Sequence, residues 1–347
     1  MSKARFLSLF LLVMIFFSCR GLFVEPDPEN TPEKNFEILW QEFDRYYSYF
    51  IYKNIDWNEI YNQYRPQVSA QTSDKELFAI LSSMLDHLKD GHVNLYTPYG
   101  IWTYEAWWRD YPANFDPDLI KRNYLTSGYS TAGGRIFTYG KLTDEIGYIH
   151  ISSFGGSKDA FREIYGILEE FRDLKGLVVD IRDNGGGSTG NSDLIASRFA
   201  DQRRLYGYAK WRNGPEHDDF TEPQELTVEP SEEWRFLKPV ALLTNRRVFS
   251  AAEDFVLAMR VFPHVTVIGD FTGGGAGNPI FRELPNGWVY RLSRWQELTP
   301  EMENYEGIGL MPDIFVGILD EDLAAGKDTI LETAITTLEL SFRLNSE

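Results

Sequence analysis

The sequence predicts an α/β core preceded by a smaller all-helical N-terminal domain. Residues 33–92 carry apolar side chains at helical spacing, whereas residues 135–345 alternate short β-rich apolar runs with helical patterns. Strands that alternate with helices in this way are typical of a largely parallel sheet. Hydrophobic residues make up 43% of the 347-residue chain and aromatic residues 15%, which is enough for a sizeable core.

The first 18 residues predict a signal peptide. Lys3 and Arg5 precede an apolar run at 6–17 that is too short to cross a bilayer comfortably. Cys19, the only cysteine of the chain, directly follows Ser18, as in the lipobox of bacterial lipoproteins. We therefore expect an exported protein of a bacterial cell envelope, with a lipidated Cys19 and a linker through residue 32. The alternative is an ordinary signal peptide with an incidental cysteine.

The charge of the chain limits its partners. The formal net charge of −18 argues against nucleic-acid binding and against electrostatic attachment to anionic lipid. The expected contact with a membrane is therefore through the lipid anchor only. The His, Cys, Asp and Glu residues show no metal-ligand spacing, so we expect no metal and no other cofactor. The oligomeric state does not follow from the sequence.

The predicted helical domain has three helix starts and ends in a loop. The starts are Thr31-Pro32, Asp56 with Glu59, and Ser73 with Glu76. The third helix ends at Lys89-Asp90-Gly91, which places His92 in the loop that follows. Residues 93–134 then form a connection, and its aromatic-rich part at 97–112 either lines a groove or packs between domains.

Three apolar runs in the core predict strands at residues 146–151, 176–181 and 239–245. The second run leads into the glycine loop 185–187, and the third leads to Ser250 at the start of an amphipathic helix. A serine at this position usually only caps the helix. The free N–H groups and the helix dipole there also suit a nucleophile and an oxyanion. The glycine loop lacks the Lys-Ser/Thr of a phosphate loop. Two interpretations of the loop remain: a backbone N–H that binds an oxyanion, or a turn that serves only packing.

Four motifs, in order along the core, resemble those of the tail-specific, C-terminal processing proteases. Residues 180–187 resemble Asp-Leu-Arg-x-Asn-x-Gly-Gly, and residues 249–253 contain the nucleophile motif Ser-Ala-x-Glu. Residues 268–274 and 306–313 match Ile-Gly-x-x-Thr-x-Gly and Glu-Gly-x-Gly-x-x-Pro-Asp. The resemblance implies a crotonase/ClpP-like core of β-β-α units. It also implies a serine peptidase that acts on peptides or unfolded proteins.

Two departures from these motifs point to one branch of the family. The Ser-Lys branch carries a lysine at the position of Gly275, and no lysine lies between Lys238 and Lys327, so a Ser-Lys dyad from this segment is excluded. The tricorn-like branch uses an upstream histidine, which here implies His92. Tricorn has a serine before that histidine, which bridges to a glutamate, whereas this chain has Gly91.

The resemblance implies a role for each candidate residue. Ser250 is the expected nucleophile and His92 its general base. Glu306 is expected to orient the histidine and to stabilise its charged form. The backbone N–H groups of Gly186 and Ala251 are expected to bind the oxyanion.

The predicted function is thus an exported serine peptidase. The connection between the two domains is too short for the PDZ domain that many of these proteases carry. The alternative is a non-catalytic protein on the same fold that binds an apolar ligand or a peptide, as retinoid-binding relatives of this core do. A third option is an esterase or amidase that acts on small acyl groups.

Overall fold

The computed structural model describes residues 28–344. The predicted signal peptide and the lipid-anchor residue Cys19 lie outside the described residues. None of the helices within 28–344 is long and apolar enough to cross a membrane.

The N-terminal region consists of three helices that begin where the sequence predicts. They are α1 (Pro32–Tyr46), α2 (Trp57–Tyr64) and α3 (Asp74–Asp86). The caps are formed as expected: Thr31 accepts the N–H of Lys34, Asp56 accepts the N–H of Glu59, and Ser73 forms a reciprocal capping box with Glu76. Each cap satisfies N–H groups that the helix itself leaves without acceptors.

Fourteen strands form three sheets within residues 28–344. The strands are β1 (Asn94–Thr97), β2 (Gly100–Thr103), β3 (Tyr129–Ala132), β4 (Phe137–Lys141), β5 (Ile146–Ile151), β6 (Gly176–Asp180), β7 (Arg204–Trp211), β8 (Gln224–Val228), β9 (Val240–Thr244), β10 (Val265–Gly269), β11 (Pro279–Glu283), β12 (Val289–Ser293), β13 (Trp295–Leu298) and β14 (Ile314–Phe315). The largest sheet has seven strands in the order β14-β10-β9-β6-β5-β4-β3. Its strands from β5 to β14 run parallel, and β3 and β4 pair antiparallel beside them.

Eight further α-helices of the described residues connect and cover these strands. They are α4 (Ala106–Arg109), α5 (Pro117–Asn123), α6 (Lys158–Arg162), α7 (Ile164–Glu170), α8 (Thr189–Ala196), α9 (Ala251–Arg260), α10 (Asp320–Ala324) and α11 (Thr329–Leu344). Two of the parallel strands, β6 and β9, lie side by side. The loops after them therefore meet at one edge of the sheet, which is where ligands usually bind in such folds.

A four-stranded antiparallel sheet joins the two parts of the chain. Its order is β11-β12-β1-β2, so β1, which also pairs with β2, pairs with β12 of a hairpin formed almost 200 residues later. The predicted connection at 93–134 thus contains β1, β2 and β3. One hydrophobic cluster also runs from the N-terminal helices through the core. The mixed α/β fold with a smaller helical N-terminal region agrees with the prediction.

Candidate active site

Ser250 lies in the sharp turn between β9 and α9. Its backbone has φ 59° and ψ −132°, a conformation that non-glycine residues seldom adopt and that is typically retained at functional sites. The side chain is half-buried. The N–H of the next residue, Ala251, is the first of the helix and has no acceptor within it. The Ser250 hydroxyl and the N–H of Ala251 therefore lie next to each other at the start of α9.

The side chain of Glu253, one helical turn into α9, fixes the backbone around Ser250. One carboxylate oxygen accepts the N–H of Ser250 at 3.0 Å and that of Gly275 at 2.6 Å. The other accepts the hydroxyl of Thr272 at 2.5 Å and the N–H of Gly274 at 2.8 Å. Burial raises the pKa of Glu253 to about 7, and these four donors oppose the rise. Glu253 thus ties the Ser250 turn to the loop at 272–275.

The glycine loop after β6 packs directly against Ser250. Gly186 has φ 93°, and a Cβ there would lie 2.5 Å from the carbonyl oxygen of Phe249, 2.8 Å from the Cβ of Ser250 and 3.0 Å from the nitrogen of Ala251. Only glycine allows this approach. The N–H of Gly186 donates to Oδ1 of Asn184 at 2.9 Å. An oxyanion beside Ser250 would therefore compete with Asn184 for this N–H.

His92 lies in the loop before β1, next to the residue that precedes Ser250. Its ring centroid is 4.6 Å from that of Phe249, and only 3% of the residue is exposed. Within residues 28–344, neither ring nitrogen has a hydrogen-bond partner, so no hydrogen bond joins His92 to Ser250. Burial lowers the pKa of His92 to about 4, against the opposing effect of Asp90. His92 is therefore neutral at pH 7, as a general base must be.

Glu306 lies in the same buried cluster, but it binds other groups. One carboxylate oxygen accepts the ammonium of Lys53 at 2.9 Å, and the other accepts the N–H of Ala276 at 3.0 Å. Burial and the nearby Asp90 raise the pKa of Glu306 to about 8, and Lys53 opposes the rise. Among the described residues, Glu306 therefore has no direct hydrogen bond to His92.

Two functional candidates of this cluster, Lys53 and Asp90, were not assigned from the sequence. The ammonium of Lys53 also donates to the carbonyls of Leu88 and Lys89 and lies 3.9 Å from Oδ2 of Asp90. Oδ1 of Asp90 accepts the backbone N–H of His92 at 2.8 Å. The only sequence signals were a lysine within an aromatic stretch and an aspartate two residues before the candidate base.

The ring of Phe249 explains both departures from the family motifs. A Cβ at Gly275 would overlap this ring, so the ring occupies the space into which a lysine side chain would start. A Cβ at Gly91 would lie 2.9 Å from the same ring and 2.6 Å from Nε1 of Trp107. Trp107 stacks on Phe249 with ring centroids 4.1 Å apart. Glycine at positions 91 and 275 therefore makes room for an aromatic pair.

Arg246 holds the aromatic segment over the site. Its guanidinium donates to the carbonyls of Trp107 at 2.7 Å, Thr272 at 2.8 Å and Ile308 at 2.6 Å. Beyond Trp107 lies a cavity of about 680 Å³, and its lining includes Lys53, Tyr104, Trp107, Tyr111, Arg246 and Glu306. The predicted aromatic-rich segment thus both packs against the site and lines a cavity. In the described part of the chain, no group of three His, Cys, Asp or Glu side chains could hold a metal ion.

Comparisons with known proteins agree with this geometry. The family model of peptidase family S41 matches residues 145–316, and that of the tricorn protease C1 domain matches residues 28–86. The crystal structure of a candidate peptidase from Parabacteroides merdae is 43% identical, with a TM-score of 0.81. The alignment covers 89% of this chain and 97% of that one. The chain belongs to peptidase family S41.

Other S41 relatives are more distant and much longer. A candidate tricorn-like protease C-terminal subunit from Sulfurisphaera tokodaii is 30% identical over 225 residues, which are 62% of this chain and 24% of the relative. The carboxy-terminal processing protease CtpA of Bacillus subtilis is 25% identical over 179 residues, or 51% of this chain and 36% of the relative. This S41 chain thus spans about a quarter to a third of the curated relatives it matches. The predicted resemblance to tail-specific and tricorn-like proteases is confirmed, as is the predicted enzyme class at the level of the family.

Proposed function

We propose that this S41 member is an exported serine peptidase. Ser250 is its nucleophile and His92 its general base. The N–H groups of Ala251 and Gly186 bind the oxyanion. One observation carries the proposal: the strained Ser250 turn packs against Gly186 and begins a helix, with a neutral buried imidazole beside the preceding residue.

The reaction follows from these groups. His92 accepts the hydroxyl proton of Ser250 while its oxygen attacks the carbonyl carbon of a peptide bond. The negative charge that develops on the carbonyl oxygen is stabilised by the N–H of Ala251, and by that of Gly186 once Asn184 releases it. His92 then gives the proton to the leaving amine. Water hydrolyses the acyl-enzyme with the same histidine as base.

Catalysis requires His92 to come within hydrogen-bond reach of Ser250 when substrate binds. A general base works within about 2.6–3.2 Å of the proton donor, and such contacts often tighten only in the complex. The His92 ring contacts Phe249, which is stacked under Trp107, so movement of this aromatic pair would change the position of the base. The cavity beyond Trp107 is a candidate pocket for a substrate side chain.

Glu306 has an indirect role in this proposal. It holds Lys53, and Lys53 in turn binds the loop that carries His92 through the carbonyls of Leu88 and Lys89. Glu306 is thus a positioning residue that acts through Lys53. The relay differs from the expected one because Gly91 leaves no hydroxyl between Glu306 and the imidazole.

The substrates and the location are proposed on other grounds. The S41 relatives include a carboxy-terminal processing protease, which favours peptide tails or unfolded proteins as substrates. The pattern of residues 1–19 favours export and a lipid anchor on Cys19 at a bacterial cell envelope. Incorporation of a labelled fatty acid by the wild type, but not by Cys19→Ala, would support the anchor, and equal incorporation would refute it.

The experiment that tests the peptidase is digestion of an unfolded protein such as reduced casein. We expect the wild type to release peptides at neutral pH and Ser250→Ala to release none. The matched control is Ser73→Ala, which removes an exposed N-cap serine from α3 and should retain activity. Digestion that persists in Ser250→Ala would place the nucleophile elsewhere.

A binding protein on the same fold is the second candidate. The observation that favours it is the absence of a hydrogen bond between His92 and Ser250, together with the aromatic lining of the 680 Å³ cavity. Such a protein would bind an apolar ligand or a peptide without cleaving it. Tight peptide binding without any release of product would favour this candidate.

A further inference from the structure

A buried nitrogen of His92 and the hydroxyl of Ser293 in β12 both lie beside Gly277. A Cβ built on Gly277 would lie 3.3 Å from Nδ1 of His92 and would overlap Oγ of Ser293. The two side chains therefore approach the same small space above Gly277. Nδ1 has no hydrogen-bond partner among residues 28–344, although burial makes such a partner valuable.

The hydroxyl of Ser293 is already oriented. Ser293 is fully buried, and its Oγ donates to Oδ2 of Asp90 at 2.8 Å. A hydroxyl has one proton and two lone pairs, so the lone pairs of Ser293 remain available to accept a second hydrogen bond. Nδ1 of His92 borders the same space above Gly277 and has no hydrogen-bond partner in residues 28–344.

The pairing of β1 with β12 brings these groups together. Asn94, at the start of β1, is in register with Arg291 of β12, so the loop that carries His92 lies against the end of the strand that carries Ser293. Asp90 closes the arrangement, because its other oxygen accepts the backbone N–H of His92. A single carboxylate thus holds both the loop of the base and the serine beside it.

We propose that Ser293 is a positioning residue that accepts Nδ1–H of His92 and links it to Asp90. This inference rests on the proposed function, because it assigns the carboxylate that stabilises the imidazolium formed when Ser250 attacks. That carboxylate is Asp90, and Glu306 acts only through Lys53. Nε2 is left to exchange the proton with Ser250, while Ser293 and Asp90 transfer none.

The charges support the choice of Asp90. Burial alone would raise the pKa of Asp90, but Lys53 and the hydrogen bonds from Ser293 and His92 hold it below its usual value. The pKa of Glu306 is instead raised to about 8. Asp90 is the carboxylate that acts on His92, and it raises the pKa of the imidazole against the effect of burial.

The test uses the full-length protein with ¹⁵N-labelled histidine. The ring shifts of His92, assigned with His92→Gln, give the tautomer and the pKa of this side chain. We expect the wild type to carry its proton on Nδ1, whereas Ser293→Ala and Asp90→Asn lose this preference and show a lower pKa. Three charged groups act on His92: Asp90 raises its pKa, whereas Arg291 and Lys53 lower it. Removal of the Asp90 charge should therefore lower the pKa of His92.

A second readout is the rate at which a fluorophosphonate labels Ser250. At metal sites, loss of a partner that orients a histidine costs about 10–100-fold, and we expect a fall of similar size in Ser293→Ala. The matched control is Ser48→Ala, a buried serine that donates to the carbonyl of Arg294, next to Ser293 in the chain. It should leave both the tautomer and the rate unchanged.

The outcomes separate the two proposals. An unchanged tautomer and pKa in both variants would overturn the role of Ser293, whether or not Ser250 is labelled. A wild type that shows the Nδ1–H tautomer but is never labelled would overturn the peptidase and retain the Ser293 contact as a structural one. If Ser293→Ala does not fold, the ¹⁵N ring shifts of His92 in Asp90→Asn alone decide whether the Ser293–Asp90 pair orients the imidazole.

Discussion

The two halves of the site differ in how they are held. The Ser250 half is fixed largely by backbone groups: Glu253 accepts three N–H groups, and Gly186 packs against the Ser250 turn. The His92 half is fixed by side chains from four separate parts of the chain, and both nitrogens of the imidazole lack partners among residues 28–344. The proposed nucleophile is thus preorganised, whereas the proposed base is enclosed and forms no side-chain hydrogen bond within residues 28–344.

This difference shows which parts of the site depend on local sequence. Backbone contacts within a short turn are determined by the residues of that turn. Side-chain clusters from distant segments depend on how the sheets align. Substitutions in the two halves should therefore have different consequences: the Ser250 half affects folding and reactivity together, and the His92 half affects reactivity with less effect on stability.

The largest expected effect comes from His92→Gln. Loss of a general base typically lowers the rate by about 10²–10⁴-fold, and we expect the rate of Ser250 labelling to fall by this factor. The free energy of unfolding should change less than the rate, because a glutamine side chain also offers an N–H donor in place of Nδ1–H. The control is His87→Gln, an exposed histidine bonded to Tyr64. A fall of less than tenfold would mean that another group is the base.

A smaller effect is expected from Gly186→Ala. Its Cβ would meet the Phe249 carbonyl in a backbone conformation with φ 93°, so we expect destabilisation of about 1–3 kcal/mol. Chemical denaturation would measure it, and labelling of Ser250 should fall as well. Gly185→Ala is the matched control, because no atom lies within 4 Å of its Cβ position. Equal stability of the two variants would contradict the close packing of the Ser250 half.

Glu253→Gln should have an effect of similar or smaller size. The amide replaces one acceptor oxygen with a donor that faces N–H or hydroxyl donors, and an unsatisfied buried group costs about 1–3 kcal/mol. The free energy of unfolding and the labelling rate should both decrease. Glu301→Gln, at an exposed glutamate, should leave both unchanged. A variant as stable and reactive as the wild type would show that Glu253 does not fix the turn.

The smallest expected effect is that of pH between about 5 and 8, where an ordinary histidine near 6.5 would titrate. Burial lowers the pKa of His92 to about 4, so the base stays neutral above that value and loses activity only as pH falls through it. Arg291 and Lys53 lower the pKa further, and Asp90 opposes them. His92 should therefore contribute no limb to the labelling rate in this range, where burial instead places the pKa values of Glu253 and Glu306, at about 7 and about 8. An acid limb near 6.5 that persists in Glu253→Gln and Glu306→Gln would show that His92 becomes solvated in solution.

The sequence predicted the elements that depend on local patterns. The helix starts at Thr31, Asp56 and Ser73, and the Ser250 turn before α9, are where capping residues and apolar runs indicate. The motif order also predicted the family. These features depend on residues within a few positions of one another, so a single sequence contains enough information to place them.

The rest of the site depends on contacts between distant segments. Ser293 meets Asp90 across 203 positions, and Lys53 meets Glu306 across 253. From the sequence, Gly275 and Gly91 indicated only that the lysine and the serine of the two family branches are missing. Their packing against the ring of Phe249 could not be predicted, because the tertiary fold places this ring. The engagement of the Gly186 N–H by Asn184 was likewise not visible in the spacing of the motif.

The most direct test of the account is the mass of the protein after reaction with a fluorophosphonate at neutral pH. The account predicts one adduct per chain, mapped by peptide mass to Ser250 and formed much more slowly in His92→Gln. A wild type that remains unmodified, or an adduct on another residue, would contradict the claim that Ser250 is a nucleophile activated by His92.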